Sequence, residues 1–161
     1  MTFTFSTKAG TLEKLAPQIK SARVPASYYF SYERWKVDEE RVLQDIRRKF
    51  NGNVAIRSSS ISEDTIESSK AGEYLSVIHV DSNSLQATKG SIEAVFNSYF
   101  KEGRKINPDD QVLVQEMITN VTMSGTLFTK DMNTGAPYFC INYDDKSGST
   151  ETVTSGFGDT E

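Results

Sequence analysis

Residues 84–100 constrain the fold more than any other segment, because they carry the strongest helical pattern in the chain. Four apolar residues recur there at positions i, i+3, i+4 and i+7: Ile92, Val95, Phe96 and Tyr99. This spacing lines up side chains on one face of a helix. The segment therefore predicts an amphipathic helix, and strand-like stretches precede and follow it.

The remaining periodic segments supply further helices and a set of strands. Helices are predicted over residues 11–20 and 38–50, the second with Asp38 as its N-cap and Asn51 and Gly52 as its stop. Strands or extended segments are predicted at 27–30, 53–58, 73–80, 111–118, 123–129, 137–143 and 151–154. This order predicts an α+β fold with a mostly antiparallel sheet and flanking helices.

Composition narrows the class of protein. The chain has 161 residues, of which 37% are hydrophobic and 25% charged, as in a soluble globular domain. No apolar run approaches the roughly 20 residues of a membrane span, and the N-terminus lacks a secretory pattern. Cys140 is the single cysteine, which excludes an internal disulfide and a thiolate metal cluster. We therefore expect a cytoplasmic protein with no membrane partner.

The charge distribution bears on the ligand. The formal net charge is −4, and acidic and basic residues are interspersed along the chain. A sequence-independent nucleic-acid binder needs a basic stripe that displaces counterions, so no nucleic-acid partner is predicted. Any anionic ligand must be bound by local groups rather than by the field of the whole chain.

The most unusual stretch begins at the end of the strand at 53–58. There Arg57 is followed by a run of hydroxyl side chains: Ser58, Ser59, Ser60 and Ser62. A guanidinium offers a fork of donors to phosphate oxygens, and Gly72 further on would let backbone amides approach a phosphate. Two interpretations remain open, an anion site and a solvated turn between strands, and the residues alone favour the turn.

This stretch resembles the signature of the N-terminal nucleotide-binding domain of the phosphoenolpyruvate synthase and pyruvate phosphate dikinase family. The matching positions are Arg57, Ser58, Ser59, Glu63, Asp64, Ala71 and Gly72. Residues 8–15 with 24–25, residues 112–117 and residues 124–135 match further family motifs in order. The resemblance favours the anion site and implies an ATP-grasp-like fold, here a partial one, with nucleotide between two α+β lobes.

The resemblance also implies which residues bind ATP. Lys8 matches the lysine that contacts the phosphates, and Arg57 matches the strand-end arginine that clamps phosphate. Residues 115–117 match the adenine hinge, and Gly125 lies where the facing strand passes the ligand. The implied nucleotide-binding set is Lys8, Arg57, Ser58, Ser59, Gly72, Gln115, Glu116, Met117 and Gly125.

Several of these positions have structural alternatives. Arg57 would instead be paired with Glu63 or Asp64, Met117 would belong to the core, and Gly125 would mark a β-bulge. His79 lacks the T-H context of the family's transferring histidine, and we interpret it as structural.

The acidic segment that holds magnesium in the family has no clean counterpart. The nearest carboxylates are those of Asp144, Asp145 and Glu151, which become the predicted metal ligands, since magnesium prefers oxygen ligands and bridges phosphate oxygens. ATP and magnesium are thus the predicted cofactors. The missing motif also supports an alternative, a nucleotide-binding or interaction module without catalysis.

The activity implied is that of the ATP-binding part of a phosphotransferase. ATP phosphate would pass to a histidine on a downstream phosphohistidine domain and then to pyruvate or a related acceptor; antibiotic and glucan acceptors are alternatives. Residues 1–52 are predicted as an N-terminal helical segment and residues 53–161 as the α+β nucleotide-binding core. The phosphohistidine and pyruvate-binding domains are expected elsewhere in a longer protein, and no catalytic residue is predicted in this chain.

Overall fold

The computed structural model describes residues 6–60, 74–100, 105–131 and 134–148. The elements in chain order are α1 (Lys8–Leu15), β1 (Ser27–Ser31), α2 (Tyr32–Val37), α3 (Glu39–Lys49), β2 (Asn53–Ser59), β3 (Ser76–Asp81), α4 (Leu85–Ser98), β4 (Gln111–Glu116), β5 (Ser124–Phe128) and β6 (Cys140–Asp144). All strand pairings in the described residues are antiparallel. The predicted α+β fold with an antiparallel sheet and helices is confirmed.

The chain falls into two units, Met1–Met117 and Ile118–Glu161. The predicted boundary between residues 52 and 53 lies inside the first unit, between α3 and β2. In the described part of the chain, no helix combines the length and the apolar character needed to cross a membrane.

The first unit is organised by a four-stranded sheet of order β1-β4-β2-β3. The two central strands pair with Ala55 opposite Gln115, Arg57 opposite Leu113 and Ser59 opposite Gln111. Because successive side chains of a strand point to opposite faces, Arg57 and Ser59 share one face and their strand neighbours the other. The two faces of the sheet therefore carry different sets of side chains.

The core lies on the face opposite Arg57. It contains buried side chains from both central strands and from the helices that cover them: Ile46, Val54, Ile56, Ile92, Val95, Phe96, Val112 and Val114. Full burial of such a side chain contributes about 1.5–3 kcal/mol. This packing holds β2 in the middle of the sheet, where its position is fixed from both sides.

Helix starts follow local capping. Asp38 caps α3, with its Oδ1 accepting a hydrogen bond from Arg41 N at 3.1 Å, and Ser84 caps α4. These two helices agree with the predictions. The first helix begins at Lys8 instead of residue 11, because the side chain of Thr7 caps it, and it ends at Leu15, short of the predicted 20. Pro17 follows, and proline cannot continue the helical hydrogen bonds.

The short helix α2 was not predicted. It has six residues, and Trp35 is the one that is buried, so no apolar repeat exists in its sequence. Ser31 caps it, with its hydroxyl accepting from Arg34 N at 3.2 Å.

The edge strand β3 contains a backbone irregularity at His79. This residue has φ 57, and the β2–β3 register shifts between Val54 and Ile56 opposite it. A non-glycine residue in this left-handed region costs about 1–2 kcal/mol. A bulge twists an edge strand and hinders pairing with another chain. His79 is exposed, and its structural interpretation stays a prediction.

The second unit is built on a ribbon in which β5 pairs with β6, from Ser124 opposite Asp144 to Phe128 opposite Cys140. Asp131 organises the intervening turn, because its Oδ1 accepts hydrogen bonds from Thr134 N and Oγ1, each at 2.7 Å. Gly135 has φ 70, a left-handed backbone conformation that favours glycine. The predicted strand at 151–154 lies outside the described residues.

Candidate functional site

Arg57 stands on the sheet face away from the core, between Leu113 of β4 and Ser76 of β3. Its side chain is half-buried, and its Nε atom is buried with no hydrogen-bond partner among the described residues. The alternative partners Glu63 and Asp64 lie outside the described residues. A buried donor without a partner lowers the stability of the fold by about 1–3 kcal/mol. A ligand that supplies a hydrogen-bond acceptor to this guanidinium would remove that cost.

The first serines after Arg57 are not a solvated turn. Ser58, Ser59 and Ser60 are at most 1% exposed. Ser59 Oγ accepts a hydrogen bond from Ala9 N at 2.9 Å, and Ser60 Oγ donates to Asp110 Oδ1 at 2.6 Å. The solvated-turn interpretation is wrong for these three residues. Their hydroxyls are enclosed, so the contact of Ser58 and Ser59 with a nucleotide stays a prediction.

The start of α1 lies at the same end of the sheet. Thr7 Oγ1 donates to Gln111 Oε1 at 2.8 Å and accepts from Gly10 N at 3.1 Å, while Ala9 N donates to Ser59. Lys8, half-buried, is thus held between two anchored neighbours. Because the Ala9 and Gly10 amides are already engaged, an anion here would be met mainly by side chains.

The rest of α1 is held on the same sheet face. Tyr29 OH of β1 donates to Glu13 Oε2 at 2.7 Å. The hydrogen bond to Glu13, together with some burial and the charge of that carboxylate, raises the pKa of Tyr29. The helix therefore lies across β1 and β4 and leaves Arg57 beside it.

The predicted adenine hinge lies at the other end of β4, where Gln115, Glu116 and Met117 are half-buried. Glu116 N donates to Ala26 O at 2.9 Å, and Met117 N donates to Asn53 O at 3.1 Å. These two amides are taken by neighbouring backbone, so they are not the groups that would read an adenine edge. The hinge assignment stays a prediction that rests on the side chains and on Gln115.

These positions form a row on one face. Gln115 is opposite Ala55, Arg57 follows two residues later in β2, and Ser59 is four residues from Ala55. At about 3.3 Å per residue, the row from Gln115 to Ser59 is about 13 Å long. The structure places Ser59, with the start of α1 bonded to it, at one end of this row, Arg57 halfway along it and Gln115 at the other end.

Gly125, in the second unit, has a local packing reason. A Cβ at this position would lie 2.5 Å from Asn142 O and 3.2 Å from Tyr143 Cα. The β5–β6 register runs through Gly125 without a shift, so the alternative of a bulge is wrong. Its contact with a ligand stays a prediction, and Gly72 lies outside the described residues.

Gly125→Ala should weaken the β5–β6 ribbon by about 1–3 kcal/mol, because the added methyl group collides with backbone of the paired strand. Gly90→Ala is the matched control, since Gly90 lies in α4 with nothing within 4 Å of its Cβ position. There alanine should stabilise the helix by about 1 kcal/mol. Hydrogen exchange of the ribbon amides measures the first effect and urea unfolding the second. Unchanged exchange in Gly125→Ala would contradict the packing argument.

Two of the three predicted metal ligands, Asp144 and Asp145, lie in the described residues. Asp144 Oδ1 accepts from Lys146 N at 2.8 Å and from Ser147 N at 2.9 Å, and its Oδ2 accepts from Ser147 Oγ. Asp145 is exposed, and Glu151 lies outside the described residues. Across residues 6–60, 74–100, 105–131 and 134–148, no group of three or more potential ligands could hold a metal ion. Asp144 is engaged in a turn, and the magnesium site stays a prediction.

Residues 36–157 match the family model described as pyruvate phosphate dikinase, AMP/ATP-binding domain. The chain belongs to this family. The match confirms the resemblance inferred from the sequence, and the matched range contains Arg57, residues 115–117 and Gly125. Lys8 lies before the matched range. A comparison with curated proteins found no match.

Two residues that hold the end of β2 in place, Tyr99 and Asp110, were not predicted to do so from the sequence. Tyr99 OH accepts from Ser59 N at 2.8 Å and donates to Gln111 O at 2.6 Å. Asp110 is fully buried and accepts from Ser60 and from Asn107 N. A signal existed for Tyr99, because a tyrosine on a buried helix face needs a partner for its hydroxyl. No comparable signal distinguished Asp110 from Asp109.

Proposed function

We propose that this chain is the ATP-binding part of a phosphotransferase of the phosphoenolpyruvate synthase and pyruvate phosphate dikinase type, with Arg57 as the phosphate clamp. The observation that carries the proposal is the buried Nε of Arg57, which has no partner among the described residues. A phosphate oxygen would supply the missing acceptor in a charge-assisted hydrogen bond. The residue also lies inside the range that matches the family.

The row of residues on the Arg57 face suits an extended nucleotide. Adenine would lie towards Gln115, Glu116 and Met117, and the phosphates would reach Arg57 and Lys8. Two cations neutralise part of the polyphosphate charge and hold its reacting end in a fixed direction. Positioning and charge stabilisation are the main contributions a protein makes to phosphoryl transfer.

We propose that the later steps involve other domains of the same protein. The phosphate would pass to a histidine of a phosphohistidine domain in the same protein and then to pyruvate or a related acceptor; an antibiotic or a glucan is the alternative acceptor. We propose a cytoplasmic location, since a lone cysteine suits a reducing compartment.

A second candidate is a nucleotide-binding module without catalysis. The observation that favours it is Asp144, because both of its carboxylate oxygens already accept hydrogen bonds within a turn. Magnesium dependence separates the candidates. ATP binding that strengthens with magnesium supports the phosphotransferase, and binding that ignores magnesium supports the module.

ATP should raise the thermal midpoint of the chain by roughly 5–10 °C when its concentration is 100 times its dissociation constant. Such a ligand adds about 2.7 kcal/mol to the native state. For a chain of this size, each kcal/mol corresponds to about 2–4 °C. Differential scanning fluorimetry with ATP, ADP and GMP, followed by calorimetry, measures the effect.

GMP is the internal control, because it carries a phosphate but a different base. A chain that is folded by circular dichroism yet shows no shift with millimolar ATP would contradict the proposed function. An equal shift with ATP and GMP would contradict the adenine end of the site.

A further inference from the structure

The hydroxyl of Tyr99 joins the ends of the two central strands. It accepts from Ser59 N at 2.8 Å and donates to Gln111 O at 2.6 Å. The side chain is fully buried, and its ring packs edge-on against Tyr74 and Phe96, with centroids 5.1 and 6.1 Å away. The hydroxyl is therefore held firmly from the helical side of the sheet.

The two residues that Tyr99 joins also anchor the segment around Lys8. Ser59 Oγ accepts from Ala9 N at 2.9 Å, and Gln111 Oε1 accepts from Thr7 Oγ1 at 2.8 Å. Lys8 stands between these two anchored residues. Both anchors stand on paired strands, and the Tyr99 hydroxyl is hydrogen-bonded to both strands at this point.

The same hydroxyl acts on Arg57. Ser59 follows Arg57 by two residues in β2 and shares its sheet face. A shift of Ser59 would therefore displace both the strand that carries the guanidinium and the helix that carries the ammonium group. The positions of Lys8 on α1 and Arg57 on β2 therefore both depend on the position of Ser59.

We propose that Tyr99 is a positioning residue that sets the spacing between Lys8 and Arg57 for a polyphosphate. The inference rests on the proposed function. A polyphosphate must meet both cations at once, whereas a single phosphate needs only one. Loss of the hydroxyl therefore weakens ATP binding more than AMP binding, and the ratio of the two affinities reports on spacing rather than on general damage.

Tyr99→Phe in the 161-residue chain tests this, with ATP and AMP dissociation constants measured by calorimetry at a temperature where the variant is folded. The ATP-to-AMP affinity ratio should fall about tenfold. Ile92→Val is the control, because it removes one buried methyl from the same helix without touching the hydroxyl network. Its ratio should stay within twofold of the wild type, as a purely structural effect scales both affinities alike.

Thr7→Ala keeps the test decisive if Tyr99→Phe does not fold, because it breaks the link to Gln111 outside the core, together with the cap of the helix that carries Lys8. It should lower the same ratio, and Thr7→Ser should restore it. A wild-type ratio in Tyr99→Phe, or in Thr7→Ala when the first variant is unfolded, overturns the positioning role while the proposed function stands. A wild-type chain that binds neither nucleotide overturns both.

Discussion

Arg57→Ala should raise the dissociation constant for ATP by about 10- to 100-fold while the fold stays intact. A hydrogen bond to a charged group contributes about 1.5–3 kcal/mol. Each 1.4 kcal/mol changes an equilibrium constant tenfold. Isothermal titration calorimetry measures the affinity, and circular dichroism checks the fold.

Arg57→Met should not destabilise the protein in the absence of nucleotide. Methionine keeps an unbranched apolar side chain but removes the buried Nε that has no partner among the described residues. The free energy of unfolding without nucleotide should therefore stay the same or rise by up to about 1 kcal/mol. A residue whose substitution lowers affinity without lowering stability serves the ligand rather than the fold.

Arg47→Ala is the matched control for the loss of one positive charge. Arg47 is exposed on α3, a helix whose buried residues pack on the core face of the sheet, opposite Arg57. Its substitution should leave ATP affinity unchanged. If Arg57→Ala also binds ATP like the wild type, the assignment of Arg57 as the phosphate clamp is wrong. If Arg57→Met is strongly destabilised, the arginine has a structural partner and the interpretation of Nε fails.

Asp110→Ala should lower the free energy of unfolding by about 3 kcal/mol, and the thermal midpoint by about 10 °C. The carboxylate is fully buried and accepts from Ser60 Oγ at 2.6 Å and from Asn107 N at 2.9 Å. Alanine leaves the buried Ser60 hydroxyl without this acceptor, at about 1–3 kcal/mol, and the partly buried Asn107 N–H at a smaller cost. For this chain length, 1 kcal/mol corresponds to about 2–4 °C.

Asp109→Ala controls for the loss of one carboxylate at the neighbouring position, where the side chain is exposed. Surface substitutions of this kind usually change stability by less than 0.5 kcal/mol. Urea unfolding with an unchanged slope isolates the effect on stability. Equal midpoints for the two variants would show that the Asp110 network contributes nothing.

The sequence predicted the fold where one local signal dominated. The helices α3 and α4 followed from apolar spacing and caps, and the strands from β-branched content. The helix α2 was not predicted, because six residues with one buried side chain contain no apolar repeat. The start of α1 was misjudged because the capping hydroxyl of Thr7 precedes the first apolar residue.

The site was predictable in part. The position of Arg57 at the end of a central strand followed from the sequence, since the buried run before it defines that strand. The enclosure of the serines did not, because it depends on partners far away in the chain, as in the Ala9–Ser59 contact across 50 residues. The engaged carboxylate of Asp144 depends instead on a turn whose geometry no residue pattern specified.

The docking of α1 joins contacts of very different sequence separation, 50 residues for Ala9 with Ser59 and 104 for Thr7 with Gln111. The entropy of closing a loop grows only slowly, by about 0.6 kcal/mol for each doubling of its length. Once Ala9 is bound, the longer loop is already closed, so Thr7 reaches Gln111 at almost no extra cost. We therefore expect the contacts of the N-terminal helix with Ser59 and Gln111 to form and break together, so that Lys8 is positioned by both contacts or by neither.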